Sequence, residues 1–356
     1  MKVSPTDEGD APEPRTDGGM FAGSDATQVT RKQRAREWFS EAIATPARIA
    51  WEDWRMKVGL SIITLFVVVG LVAWVSSSNW WLLDGVTLVE EPISNQGPTR
   101  LAPFENWAHP LGTDVQGRDL LAGIVHATPR MIQMIMAGAV FSSIVATAVG
   151  TVAGYKGGAV ERTLMTLSDI AMTIPGLPLV IVLMVLIEPQ NPWFIGIIIT
   201  INVWAGLART IHSQVLSLRE NSYVEASRTM GMGTASIIQK DILPNLMPYV
   251  TVNFVYAARR VIYDSVALYF LGVLTYQGIE NWGVMMYIAY DIGGALFNPN
   301  NAYMLLVPMI PIVLLSLGLI LFSQGTDRLF NPRVRTRQAG ETVSEDDDDP
   351  TTVMTQ

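Results

Sequence analysis

Three ionisable residues, Arg259, Arg260 and Asp264, interrupt an otherwise apolar stretch that runs from about Tyr249 to Val273. A charge in hydrocarbon is costly, so such groups face a bundle interior or a wet cavity and pair with one another. Arg260 and Asp264 are four apart and can meet across one helical turn, while Asn253, Tyr256 and Tyr263 fall on nearly the same face. The chemistry open to this polar stripe is non-covalent. It either lines a path for a polar solute or is a neutralised pair that fixes helix packing. A second constellation comprises His109, Gly112, Thr113, Asp114, Gly117, Arg118 and Asp119. Its glycines permit tight turns, and its charged groups can form a local hydrogen-bonded or ionic network. It reads as a latch holding a loop to the helix that follows, or as a contact for an external protein.

A third stretch, Tyr223 to Pro248, is polar and glycine-punctuated between two apolar segments. Ala226 and Ser227 are small enough for close approach by another surface. Gly231 and Gly233 can take positive φ where a helix ends, and Pro244 lacks the N–H of a helix interior. The stretch is either a knob presented to a soluble partner or an ordinary helix-turn-helix linker.

Other chemistries are excluded or unsupported. Cysteine is absent, which removes disulfides, thiolate metal sites and cysteine nucleophiles. His109, His126 and His212 are too scattered to argue for a metal site. No G-x-x-x-x-G-K-[ST] phosphate loop occurs, and Gly231-Met232-Gly233 is too short to stand in for one. The net charge of -8, with acid gathered in the tails, is not a nucleic-acid profile.

The elements that must position these groups are long apolar spans. Of 356 residues 49% are hydrophobic and 16% charged, a mixture that fits membrane spans separated by charged loops. Residues 1–30 read as a disordered tail without a cleavable signal, and 31–57 as an amphipathic interfacial helix carrying Trp38, Phe39, Trp51 and Trp54. Residues 58–130 hold a first span, Val58 to Val75, and an external segment. A membrane core over 131–335 contains spans near Met131–Tyr155, Thr163–Ile187, Trp193–Ala208, Tyr249–Val273 and Tyr303–Ser323, with a loop at 219–248. An external loop runs from Gln277 to Asn301. Residues 336–356 form an acidic tail, which together with the scarcity of lysine fits a high-salt organism. The fold class is all-α, a polytopic membrane protein of six transmembrane helices.

Gly138, Ser142, Ala146, Gly150 and Gly154 recur every fourth residue, a packing seam for a neighbouring helix. Ile174-Pro175-Gly176-Leu177-Pro178 must bend or break its span, as a gate or as a fixed kink. Arginine and lysine crowd one set of flanks, so the positive-inside rule puts both termini and the 219–248 loop in the cytosol.

Glu225-Ala226-Ser227, three residues, Gly231, nine residues and then Asp241-Ile242-Leu243-Pro244 resembles the EAA loop of membrane subunits of ATP-binding-cassette importers. Ser227 replaces an alanine and Asp241 the usual isoleucine. His109-Pro110-Leu111-Gly112-Thr113-Asp114 followed by Gly117-Arg118-Asp119 resembles the segment before the second span in permeases of the dipeptide, oligopeptide and nickel importers. Ala153-Gly154-Tyr155, Phe270-Leu271-Gly272, Trp282-Gly283 and Asn331-Pro332-Arg333 extend the likeness over roughly Met56 to Arg335. The chain is similar to the shorter, C-type subunit of that family, with a type I importer permease fold. The resemblance implies a second homologous permease, two ATPase subunits that use ATP and magnesium, an external solute-binding protein, the lipid bilayer, and no cofactor on this chain. It also implies that Glu225, Ala226, Ser227, Gly231, Leu243 and Pro244 contact an ATPase. Peptides are the expected solute. A secondary transporter or channel working through the polar stripe is the competing reading.

Overall fold

The structure, a computed structural model, describes residues 53–77, 89, 91–95, 97–274 and 281–329. The expected tails at 1–30 and 336–356, and residues 31–52 of the expected interfacial helix, lie outside the described residues.

The regular secondary structure of the described residues is helical, with one isolated bridge between Thr113 and Asp119. In chain order the helices are α1 (Trp54–Ser77), α2 (Leu120–Lys156), α3 (Gly158–Thr173), α4 (Gly176–Ile187), α5 (Pro192–Ile199), α6 (Val203–Leu218), α7 (Ser222–Thr229), α8 (Thr234–Ile237), α9 (Leu243–Phe270), α10 (Trp282–Asp291) and α11 (Tyr303–Leu329). A π turn, Ile238–Ile242, joins α8 to α9.

Helix α2 is the spine. Its start is fixed by Asp119, whose carboxylate accepts the Leu121 and Ala122 N–H groups at 2.7 and 3.0 Å. Its small-residue stripe packs along α5 and α6. A Cβ on Gly138 would come 2.6 Å from the Gly196 carbonyl, and one on Gly150 would come 2.5 Å from the Ala208 carbonyl. Ser142 and Ala146 are fully buried between them. Backbones therefore touch along this seam, which bulkier residues would hold apart. A second close crossing, between α1 and α11, is made by Gly59, Gly318 and Gly325.

Among the described residues two larger apolar cores result, with a small third around Ala289, Ala295 and Met304. One gathers Met131, Met134, Ile195, Ile199, Ile262 and Tyr269, with Trp282 edge-on to Phe66 at 5.8 Å. The other gathers Ala208, Ile211, Val215, Val224, Ile237 and Ile242.

Several boundaries differ from the sequence reading. Trp54 to Lys57 form the first turn of α1 rather than the end of a surface helix. Helix α2 starts at Leu120, not near Met131, because it runs on through Pro129 and Arg130. The expected third span is two helices, α3 and α4, bent by 83° at Ile174–Pro175, and the fourth is α5 and α6, bent by 57°. Pro175 explains the first break. The second falls at Thr200–Asn202, where no proline marks it, and α6 continues past Ala208 to Leu218. The loop expected at 277–301 contains α10, and α11 runs beyond Ser323 to Leu329. Among the described residues three helices, or five if each bent pair is one span, are long and apolar enough to cross a membrane. Helix α9 is long enough, at 28 residues, but carries the three charges.

Candidate functional site

The 219–248 loop is built on the second core. Val224 of α7 is fully buried with Ile237 and Ile242, so the loop is anchored rather than free. Ile237 and Ile242 are five residues apart. An α-helix would not align them, but the wider π turn brings both inward. Ile242 thus fills the core beside the position where Asp241 replaces the expected isoleucine. One Asp241 carboxylate oxygen is buried without a partner.

The outer surface of the loop is polar and small. Glu225, Ala226 and Gly231 are exposed, Ser227 is buried, Leu243 is half-buried and Pro244 exposed. Arg228 donates to Glu225 at 2.7 Å, and its guanidinium lies 6.0 Å from the Tyr155 ring at the end of α2. Gly231 has φ +75°, which lets the chain turn between α7 and α8, and a Cβ there would meet nothing within 4 Å. Ala226 and Gly231 therefore border open space, whereas Ser227 faces the protein's own interior.

At the other end of α2, the 109–119 segment is folded on itself. Asp114 accepts the Gln116 and Arg118 N–H groups at 2.7 and 2.9 Å through one oxygen, and Arg118 donates to the Ser94 hydroxyl at 2.9 Å. Burial raises the Asp114 carboxyl above its ordinary range, against the lowering effect of those N–H groups and the Arg118 charge. Thr113 is fully buried, donates to the Pro98 carbonyl and accepts the Leu101 N–H. Gly112 and Gly117 have φ +81° and +71°. Asp119 caps α2 with one oxygen and meets the His109 ring at 2.8 Å with the other. The Tyr303 hydroxyl of α11 donates to the Thr113 carbonyl at 2.9 Å. These residues hold the turn to α2 and α11.

Along α9, Arg260 donates to Asp264 at 3.2 Å, with half of the Arg260 side chain exposed. Arg259 stacks 5.8 Å from the Tyr263 ring centre. Tyr256 and Tyr263 are exposed, and Asn253 donates back to the Tyr249 carbonyl of its own helix. Sequence reading did not connect this stripe to either bent span. Yet the Asn202 amide, at the α5–α6 break, donates to the Ile174 carbonyl at the α3–α4 break at 3.4 Å. A Cβ on Gly176 would sit 3.0 Å from the Asn202 amide nitrogen and 3.3 Å from an Arg260 guanidinium nitrogen. Both breaks therefore converge on Arg260. The proline pair at 175 and 178 signalled one of them; nothing in the sequence signalled Asn202.

A further polar cleft of about 450 Å³ lies between α3 and α6. Asp169 pairs there with Arg209, and His212 meets Glu161 at 2.8 Å. The scattered histidines thus have separate partners: His109 has Asp119, His212 has Glu161, and His126 has the Val89 carbonyl at 3.3 Å. Among the described residues no group of three possible metal ligands gathers.

Comparison with known proteins fits this geometry. Residues 146–336 match the family described as binding-protein-dependent transport system inner membrane component. The dipeptide transport system permease protein DppC of Bacillus subtilis is 30% identical over 260 residues, covering 72% of this chain and 78% of that protein. The oligopeptide transport system permease protein OppC of the same organism is 28% identical over 254 residues, covering 69% and 79%. DppC of Alkalihalophilus pseudofirmus is 28% identical over 283 residues, covering 78% and 86%. An anchored loop with a small-residue surface, a capped turn at the far end of the spine helix and a charged stripe between them thus occur in a chain that belongs to the family of inner membrane permease components of binding-protein-dependent transport systems.

Proposed function

We propose that this chain is the C-type permease of an ATP-driven importer for di- or oligopeptides, forming half of the pathway beside a second permease. The assembly carries two ATPase subunits using ATP and magnesium, one of which docks on the 219–248 loop of this chain through Glu225, Ala226, Ser227, Gly231, Leu243 and Pro244. An external binding protein delivers the solute at the opposite face. Six spans, with α9 as the charged one, put both termini in the cytosol, and the acidic balance of the chain suits a high-salt organism.

The observation that carries this reading is the arrangement on α2. The helix has 37 residues, about 55 Å at 1.5 Å per residue. The hydrocarbon core of a bilayer is roughly 30 Å thick. The capped turn sits at one end and the anchored loop, with Arg228 against Tyr155, at the other. The loop's exposed Ala226 and Gly231 leave room for a partner surface.

The stripe of Asn253, Tyr256, Arg259, Arg260, Tyr263 and Asp264 supports the pathway assignment in the same way. Arginine facing lipid at mid-depth costs about 2.5–3.5 kcal/mol or more. A half-exposed Arg260 therefore calls for protein or water over that face, which the second permease and the pathway supply.

Purification from native membrane tests the proposal. Recovery of two ATPase subunits and a second permease with this chain is expected, and uptake of a peptide by that assembly must require ATP. A chain that moves solute when purified alone would instead make it a secondary transporter or channel.

A further inference from the structure

The convergence of both bent spans on α9 carries an inference that rests on the peptide-importer reading and makes it specific. Three facts meet at one point. The Arg260 guanidinium engages Asp264 through Nε, and its terminal nitrogens make no hydrogen bond among the described residues. Arg259, next in sequence, is held by Tyr263, so the stripe carries two guanidinium groups and one carboxylate, which leaves one positive charge over. Asn202 turns its amide N–H₂ to the Ile174 carbonyl, and its own carbonyl oxygen is buried without a partner. Gly176 is what lets these groups come together, because any side chain there would press on both Asn202 and Arg260.

An unfilled acceptor beside unfilled charged donors defines a complementary ligand: an anionic group with a neighbouring N–H. The C-terminus of a peptide has that form, a carboxylate one residue from an amide N–H. Guanidinium donors match carboxylate geometry and hold it by charge-assisted hydrogen bonds. A buried acceptor left unsatisfied is costly, so the Asn202 oxygen gains most from a ligand that brings a donor. We propose that Arg260 and Asn202 form a station in the pathway that reads the C-terminal carboxylate and last amide of the passing peptide. Since Asn202 and Gly176 sit at the two breaks, occupancy of the station also registers the relative position of the two bent spans.

The test uses the complete transporter in proteoliposomes, with the binding protein saturated either by trialanine or by its C-terminal amide. The readout is the ratio of the two uptake rates. Arg260→Gln is expected to lower the acid-to-amide ratio roughly tenfold, the size of one lost hydrogen bond to a charged group. Arg260→Lys should retain part of it. Asn202→Asp, nearly isosteric, sets a carboxylate beside Arg260 that competes with the peptide's own, and should lower the ratio in the same direction. An unchanged ratio in Arg260→Gln and Asn202→Asp, whether both rates fall together or neither falls, overturns the proposal and leaves Arg260 as a packing group paired with protein. Wild-type transporter that carries neither peptide would defeat the peptide reading itself, a different failure.

Discussion

Replacement of Gly231 by leucine separates a docking role of the 219–248 loop from a purely structural one. Gly231 has φ +75°, a conformation that costs a residue bearing a Cβ about 1–2 kcal/mol. Among the described residues no atom lies within 4 Å of the position its Cβ would take, so the Cβ itself meets no neighbour. The penalty evident at this position is that backbone term, a modest part of the roughly 5–15 kcal/mol that keeps a typical domain folded. Gly233 supplies the control. It has φ -67°, also with nothing within 4 Å, so Gly233→Leu adds the same bulk without strain. Gly231→Asn supplies the converse, since asparagine tolerates positive φ. Each variant complex is scored for assembly, for ATP hydrolysis and for ATP-driven peptide uptake. Gly231→Leu is expected to insert and fold, yet to hydrolyse ATP with uptake reduced more than tenfold, because the leucine holds the ATPase surface away. Gly231→Asn should fall in between. Full uptake by Gly231→Leu, with hydrolysis and transport still in step, would refute the idea that this surface carries the coupling.

Three further outcomes follow from the same geometry. At Gly196 a Cβ would overlap the Met134 carbonyl, so Gly196→Ala should cost about 1–3 kcal/mol or more in thermal unfolding, whereas Gly206→Ala, with open space around it, should be neutral or stabilising. Asp114→Asn keeps an acceptor for the Gln116 and Arg118 N–H groups and should be tolerated, while Asp114→Ala loses both bonds and about 1–3 kcal/mol. The sign of the pH effect is set by burial. The folded pKa lies above the ordinary 3.8, so the stabilisation from the protonated Asp114 is full below that value and is lost as pH rises through the folded pKa; unfolding curves of Asp114→Asn should lack this component. Finally, if pairing is all that Arg260 does, Arg260→Ala and Asp264→Ala should each impair uptake more than the double substitution, whereas with Arg260 as a peptide contact the double substitution stays at least as impaired as Arg260→Ala.

What could be read from sequence depended on whether a feature was local. The four-residue repeat from Gly138 to Gly154 specified a helical seam because α-helical spacing alone puts those residues on one face. The partner helices, α5 and α6, were not specified, since close approach is a property of two surfaces. The break at Pro175 was legible from a missing N–H. The break at Thr200–Asn202 was not, because it has no proline and sits in an apolar run that reads as a continuous span. For the same reason the Asn202–Arg260 junction stayed hidden: its members are far apart in sequence and are joined only by two bends. The start of α2 was misplaced because Pro129 and Arg130 resemble a terminus, whereas the physical start is the Asp119 cap. In the loop, Asp241 stands where the resembled motif has isoleucine, and only the π turn shows how the neighbouring Ile242 fills the core.

The backbone contacts of Gly138, Gly150 and Gly154 have a mechanical meaning as well. Where two helices touch through main-chain atoms there are few flexible side chains to absorb displacement, so α2 and α6 are geared to one another. A helix of about 55 Å pivoting at one end moves its other end by about 1 Å for each degree of tilt. A rotation of a few degrees, imposed where Arg228 rests on Tyr155, would reach the Asp119 turn as a shift comparable to a hydrogen-bond length. In this chain distance itself supplies the gain, and α2 acts as the lever arm.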